Sequence, residues 1–241
     1  MQLAPVICLL VALLCGFWLV HEGAPFSSLF LVFNAATFNK PCESPFGTIQ
    51  GTVRFGDTTI DRRAIDVQVV SNCNSDTTSN VDAFLDWGQV QDEERVYTGM
   101  QWQCVEFARR FLLLRKNFVF GSVDGAEDIF SVCEEVWDPL NASNRRSFLS
   151  IAQGSRAVVS PFLEEGVLII WSRQLPDMPF GHVAVVVNVD VGQRLVHIAE
   201  QNYNSEVWSD GQRYSRSLPL SSNGFFVDDA VDTIVGYKKI H

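Results

Sequence analysis

Basic charge is scarce in this chain. Lys and Arg number 18 against 28 Asp and Glu, a formal net charge of −10. A nucleic-acid binder needs a basic footprint to meet phosphates, so the charge argues against that class. An acidic balance suits solubility, or a neutral or cationic ligand. Metal-ligand spacing is missing too. There is no CxxC pair, and Glu200 and His197 have no third ligand at a usual zinc spacing, so metal-assisted hydrolysis is disfavoured. Internal repeats and low-complexity tracts are absent, which removes solenoids and fibrous classes.

Long apolar runs are also lacking, with one exception. "VICLLVALLCGFWLV", residues 6–20, carries no charge and ends at His21 and Glu22. It is short for a membrane span and fits the apolar region of a secretory signal, although no Lys or Arg precedes it. "GAPFSS" offers small residues for cleavage, and a second apolar stretch, "SLFLVFNAATF", follows at once. Residues 1–24 therefore read as a signal peptide or a signal-anchor, and 25–43 as a linker. The expected location is the secretory pathway or the extracellular space, with membrane attachment if the segment is retained.

The remainder, residues 44–241, has the length of one domain, and an apolar fraction of 47% across the chain allows a sizeable core. Of six cysteines, Cys8 and Cys15 lie in the leader, leaving Cys42, Cys73, Cys104 and Cys133. Export would permit disulfides, and four cysteines pair evenly unless one is a nucleophile. Asn141-Ala142-Ser143 is an N-glycosylation sequon in that compartment.

Residues 40–72 read as loops and short strands, with Ile65, Val67 and Val69 sharing a face. Residues 73–98 are polar and acidic and read as an exposed connection, with a short helix near 81–86. The strongest helix follows: Cys104, Phe107, Ala108, Phe111 and Leu112 recur at three- and four-residue steps. Arg115 and Lys116 suit its C-terminal end and Asn117 can close it. A second helix is expected over 125–136, with Cys133 a buried thiol. Strands are expected at 166–172, 181–190, 193–202 and 232–240. Helices followed by an antiparallel sheet make an α+β arrangement.

The chemistry centres on "GMQWQCVEFARRFL", residues 99–112. Cys104 opens the helix, where partial positive charge and free N–H groups favour a thiolate and could hold an oxyanion. The same position suits a packed core cysteine. Of four histidines, His21 lies in the leader and His241 is the last residue, leaving His182 and His197. A hairpin turning near residue 192 pairs residues whose numbers sum to about 384. That register sets His182 opposite Asn202, with Glu200 diagonal on the same face, and His197 opposite Val187 in mid-ladder. His182 is thus the candidate base and Glu200 its orienting acid, the set a thiol nucleophile requires.

"WQCVEFARRF", "GHVAVVV" and "IAEQNY", with "SPFGTIQG" before and "DTIVGY" after, resemble CHAP-type cysteine amidohydrolases. Within that group the resemblance is to the amidase domain of glutathionylspermidine synthetase/amidases and trypanothione synthetases. It spans roughly 44–240 and implies a papain-like fold with the nucleophile helix packed on an antiparallel sheet. By the same resemblance Cys104 is the nucleophile, His182 the base and Glu200 the acid. Gln103, Arg109 and Asn202 contact substrate or steady the oxyanion. The reaction implied is hydrolysis of a glutathionylspermidine-like amide through a thioester, with no cofactor and no ATP-dependent ligation. Gly121 and Ser122 stand where the family often has a Thr-Asp pair, and Asp124 is displaced from it, so substrate recognition departs there. An exported peptidoglycan endopeptidase that cuts wall peptides is the alternative the leader favours. A CHAP-fold binding module without turnover is the alternative of another class.

Overall fold

The computed structural model of the chain describes residues 41–54, 66–74, 77, 79–87, 94–156, 158 and 161–241. The leader, most of the linker and Ile65 lie outside the described residues. Lys40–His241 forms one compact unit.

Its frame is a seven-stranded antiparallel sheet in the order β10-β9-β8-β7-β11-β6-β5. The strands are β5 (Glu135–Asp138), β6 (Asn141–Ala152), β7 (Leu168–Trp171), β8 (His182–Asp190), β9 (Leu195–Ala199), β10 (Arg216–Pro219) and β11 (Ile234–Ile240). Two short hairpins precede it, β1 (Ile49–Val53) with β2 (Val67–Val70) and β3 (Asp82–Trp87) with β4 (Glu94–Met100). Two helices are present among the described residues, α1 (Cys104–Lys116) and the short α2 (Asp128–Val132). Strands thus dominate, and the helical half of the expected α+β arrangement reduces to one long helix beside the sheet.

The central strands are buried on both faces, so alternate residues feed two separate cores. Leu168, Ile170, Val183 and Val185 join Phe107, Ala108, Phe111 and Leu112 of α1. Ile169, Trp171, Ala184, Val186 and Ile198 join Phe162, Phe226 and Tyr237 on the other face. The apolar stripe read from the sequence is the buried face of α1. Asn117 closes the helix in the left-handed conformation (φ 61°), its N–H donating to Leu113 O at 3.0 Å. Asparagine tolerates that conformation, which makes it a suitable terminator.

Three local expectations are corrected. Residues 81–86 are not helical but form β3, where Phe84 pairs with Tyr97 and their rings meet edge-on at 5.6 Å. Cross-strand aromatic pairing outweighs the weak helical signal of an acidic segment. The helix expected over 125–136 is cut to Asp128–Val132 because the chain then turns extended to pair β5 with β6 and bury Val136. The hairpin register holds at Val185↔Ala199 and Val186↔Ile198, then slips by one, so that His197 faces Asn188 rather than Val187. A β-bulge at Val187 accounts for the slip.

Candidate active site

β8 opens at His182 because Gly181 turns the chain immediately before it. Gly181 has φ +69°, and a Cβ there would sit 2.6 Å from Trp171 O and 3.0 Å from Glu127 N. The ladder then sets Trp171 opposite His182. β9 ends at Ala199, and residues 200–202 leave the sheet through Asn202, also left-handed (φ 57°). Both events fall at the same end of the sheet, where α1 begins.

There the sequence candidates meet. Cys104 is the first residue of α1 and is 8% exposed. It is one of the two groups, with Glu200, that favour the charged form of the His182 imidazole. His182 Nε2 lies 2.9 Å from Glu200 Oε2, both side chains almost fully buried. With Nε2 engaged by the carboxylate, Nδ1 is the ring nitrogen left for the thiol. The imidazole is flanked by Trp171 and Tyr203, with ring centroids 5.5 and 5.2 Å away. Burial alone would push the imidazole down. Hydrogen bonds and charge from Cys104 and Glu200 override that and carry it to about 9. Burial pushes the Glu200 carboxyl up, but His182 and Arg216 outweigh it and hold the group below its ordinary value.

Gln103 and Asn202 form a separate polar knot at the helix start. Asn202 Nδ2 donates to Gln103 Oε1 at 2.7 Å, and Asn72 Nδ2 donates to Asn202 Oδ1 at 2.9 Å. Trp102 N–H reaches Asn72 Oδ1 at 3.4 Å. Arg109 is differently engaged. Its guanidinium donates to the carbonyls of Phe120 (3.0 Å), Thr98 (2.9 Å) and Gly121 (2.8 Å), which clamps the loop after α1 to β4. It also lines, with Gln103 and Cys104, a cleft of about 140 Å³ walled by Tyr97, Met100, Val105, Val123, Asp124 and Phe180. Asn141 is exposed at the start of β6, with Ser143 Oγ donating to its side-chain oxygen at 2.6 Å.

Several residues of the site are not singled out by the sequence reading. Arg216, Asn72 and the buried set Glu106, Arg110 and Gln201 are brought in by the fold. Arg110 donates to Glu106 Oε1 at 2.7 Å and to Gln201 Oε1 at 2.8 Å, and Gln201 Nε2 donates to Glu106 Oε2 at 3.0 Å. Spacing could have found one of these pairs, since Glu106 and Arg110 stand at i and i+4 on α1. Cys42 and Cys73 form a disulfide that closes a loop with sequence separation 31, while Cys104 and Cys133 are free and buried. Burial pushes the Cys133 thiol up, as befits an inert sulfur.

A thiol at a helix start, an imidazole beside it and a carboxylate behind the imidazole is the arrangement that thiol hydrolases use. Residues 95–202 match the family model of the CHAP domain. All three members of the set fall within it. The chain is similar to the bifunctional glutathionylspermidine synthetase/amidase of Escherichia coli strain K12, with 36% identity over 146 residues, 58% of this chain and 22% of that protein. It is also similar to the trypanothione synthetase of Crithidia fasciculata, with 29% identity over 196 residues, 81% of this chain and 26% of that protein. A third relative is the glutathionylspermidine synthase of the same organism, with 33% identity over 130 residues, 51% of this chain and 16% of that protein. The chain therefore spans about a quarter or less of the length of these relatives.

Proposed function

We propose that the domain is a cysteine-dependent amidohydrolase in which Cys104 attacks an amide carbonyl. One observation carries the reading: Cys104 opens α1 at the end of the sheet where Glu200 grips the His182 imidazole at 2.9 Å, and Cys104 and Glu200 together favour its charged form. His182 takes the Cys104 proton and becomes imidazolium, a form its surroundings favour. The thiolate adds to the carbonyl carbon. The backbone N–H groups of the first turn of α1, with Gln103 beside them, face the developing oxyanion, and a donor so placed is worth roughly 3–4 kcal/mol. The imidazolium then protonates the leaving amine as the C–N bond breaks. Water, activated by His182, releases the acyl group from the thioester. Asn202 holds the Gln103 amide, and Arg109 fixes the back of the cleft.

The substrate class proposed is a glutathionylspermidine-like amide, supported by the names of the relatives. The apolar segment at residues 6–20 favours a second reading, an exported enzyme acting on amide bonds of bacterial wall peptides. Both use the same thiol chemistry. The test is mass-spectrometric product analysis of the full chain given glutathionylspermidine and wall muropeptides in parallel, each beside Cys104→Ala. Glutathione and spermidine released by the wild type alone would support the first reading. New free amines on wall peptides would support the second. Turnover by Cys104→Ala at the wild-type rate would remove Cys104 as nucleophile, and rapid alkylation of Cys104 without product from either substrate would keep the thiol chemistry and point to a different amide substrate.

A further inference from the structure

Glu200 has two oxygens, and the reaction above uses one. Oε2 faces His182. Oε1 accepts from Arg216 Nε at 2.8 Å, with Arg216 Nη2 3.5 Å from Oε2. Arg216 opens β10, the edge strand beside β9, and its guanidinium is itself held from several directions. Nη1 lies 3.4 Å from Asp229 Oδ2. The cation stacks over the Tyr203 ring at 4.0 Å and lies 5.4 Å from the Trp171 ring. Asp229 in turn accepts Trp171 Nε1–H at 3.0 Å and the Val231 N–H at 3.0 Å. Tyr203 and Trp171 are the two rings that flank His182, so one cation is packed into the same cage as the imidazole.

A carboxylate with one anchored oxygen can still rotate about its last bond. With both oxygens gripped its plane is fixed, and so is the direction in which His182 points. We infer that Arg216 is a positioning residue of this site: it clamps the Glu200 carboxylate so that Oε2 stays on His182 Nε2, and its charge keeps that carboxylate ionised. The inference rests on the reading of Cys104, His182 and Glu200 as the reacting set. The charged and titratable groups around Glu200 are His182 from β8, Arg216 from β10, Tyr203 after β9 and, beyond the guanidinium, Asp229. Removal of Arg216 takes away one of two cations next to Glu200, so the carboxyl binds a proton at higher pH. A protonated Glu200 no longer balances the imidazolium, and His182 loses its hold on the proton taken from Cys104.

The test needs no substrate. Alkylation of Cys104 by iodoacetamide is followed against pH in the full chain, with peptide mapping to separate Cys104 from the other thiols. The acidic limb of the rate profile should move up by about one pH unit in Arg216→Met, the size expected for loss of a neighbouring opposite charge. Arg216→Lys keeps the charge and should retain most of the wild-type profile. An unmoved limb in a folded Arg216→Met, checked by circular dichroism and melting, would overturn the inference. If that variant does not fold, Arg216→Gln, which keeps a polar side chain beside Glu200 without the charge, should move the limb in the same direction, and an unmoved limb there would overturn it equally. A wild-type Cys104 that reacts no faster than a small-molecule thiol would instead sink the reading of the reacting set.

Discussion

Glu200→Gln is the most informative single change. It preserves shape and removes one charge from a buried pair. In the wild type the imidazole is lifted from 6.5 to about 9, which corresponds to about 3 kcal/mol of preference for the imidazolium. Cys104 and Glu200 supply that preference together, and burial opposes it. Without the carboxylate the opposing burial is left facing Cys104 alone, so the His182 midpoint should fall well below 9. The sign for stability follows from the two directions. His182 is raised in the folded state, so its contribution is complete below its ordinary value of 6.5 and is lost as pH rises through about 9. Glu200 is lowered, so its contribution is present above its ordinary value of 4.5 and is lost as pH falls below it. The variant should lose both contributions near neutral pH. Loss of one partner from a buried pair costs about 3–5 kcal/mol, in this case mainly because Arg216 keeps its charge. Two measurements check this: nitrogen NMR of the His182 ring through a pH titration, and urea unfolding at pH 7 against pH 9.5. A His182 that still titrates near 9 in Glu200→Gln would refute the assignment of the carboxylate as its electrostatic partner.

Three other expectations follow from separate parts of the structure. His197→Ala should keep most of the wild-type amidase rate, because His197 is spent on Ser217 Oγ at 2.7 Å and on the Tyr214 ring at 4.2 Å; a loss as large as that of His182→Ala would contradict the choice of base. Gly181→Ala should lower the melting temperature and slow Cys104 alkylation together, since its Cβ would meet Trp171 O at 2.6 Å in a left-handed backbone. Replacing Cys42 and Cys73 by serine opens a disulfide loop with sequence separation 31, and denaturant unfolding should show a loss of about 3–4 kcal/mol.

The parts of the site that were legible in the sequence are those written in local pattern. The stripe on α1 gave the helix, its first residue gave Cys104, and the turn near residue 192 gave a hairpin whose two sides carry His182 and Glu200. The Val187 bulge shifts the ladder only between the turn and Val186, and the expected register holds to Val185↔Ala199, where the ladder ends; Glu200 reaches His182 without the pairing of His182 with Asn202 that the register implied. What was hidden depends on distant pairing. β6 reads as a polar run because nearly all of its side chains except Phe148 are exposed or half-exposed, and pairing with β11 and β5 holds it extended. Arg216 looks like any charged residue on an edge strand until β10 lies beside β9. β3 was misread because its partner strand, not its own composition, decides its conformation.

Three consecutive residues, Glu200, Gln201 and Asn202, serve different sets of partners, and this decides what the end of β9 does. Alternation along an extended chain sends Glu200 to His182 and Arg216, and Gln201 the other way, to Arg110, Glu106 and the N–H of Val70. Asn202, turned by its positive φ, reaches Gln103. Gln201 Nε2 also lies 3.3 Å from Gln103 O, so one side chain joins the strand end, β2 and the first turn of α1. Gln201→Leu is nearly isosteric and touches no reacting atom. It would leave the Val70 N–H and one Arg110 donor buried without their acceptor, at about 1–3 kcal/mol for each unsatisfied group. The expected result is a destabilisation of about 2–6 kcal/mol in denaturant unfolding, with slower Cys104 alkylation and an unmoved pH profile, because the charges around Glu200 are untouched. A stable Gln201→Leu with wild-type alkylation would show that the helix start is held by its own packing, and that Gln201 fills space between networks that do not need it.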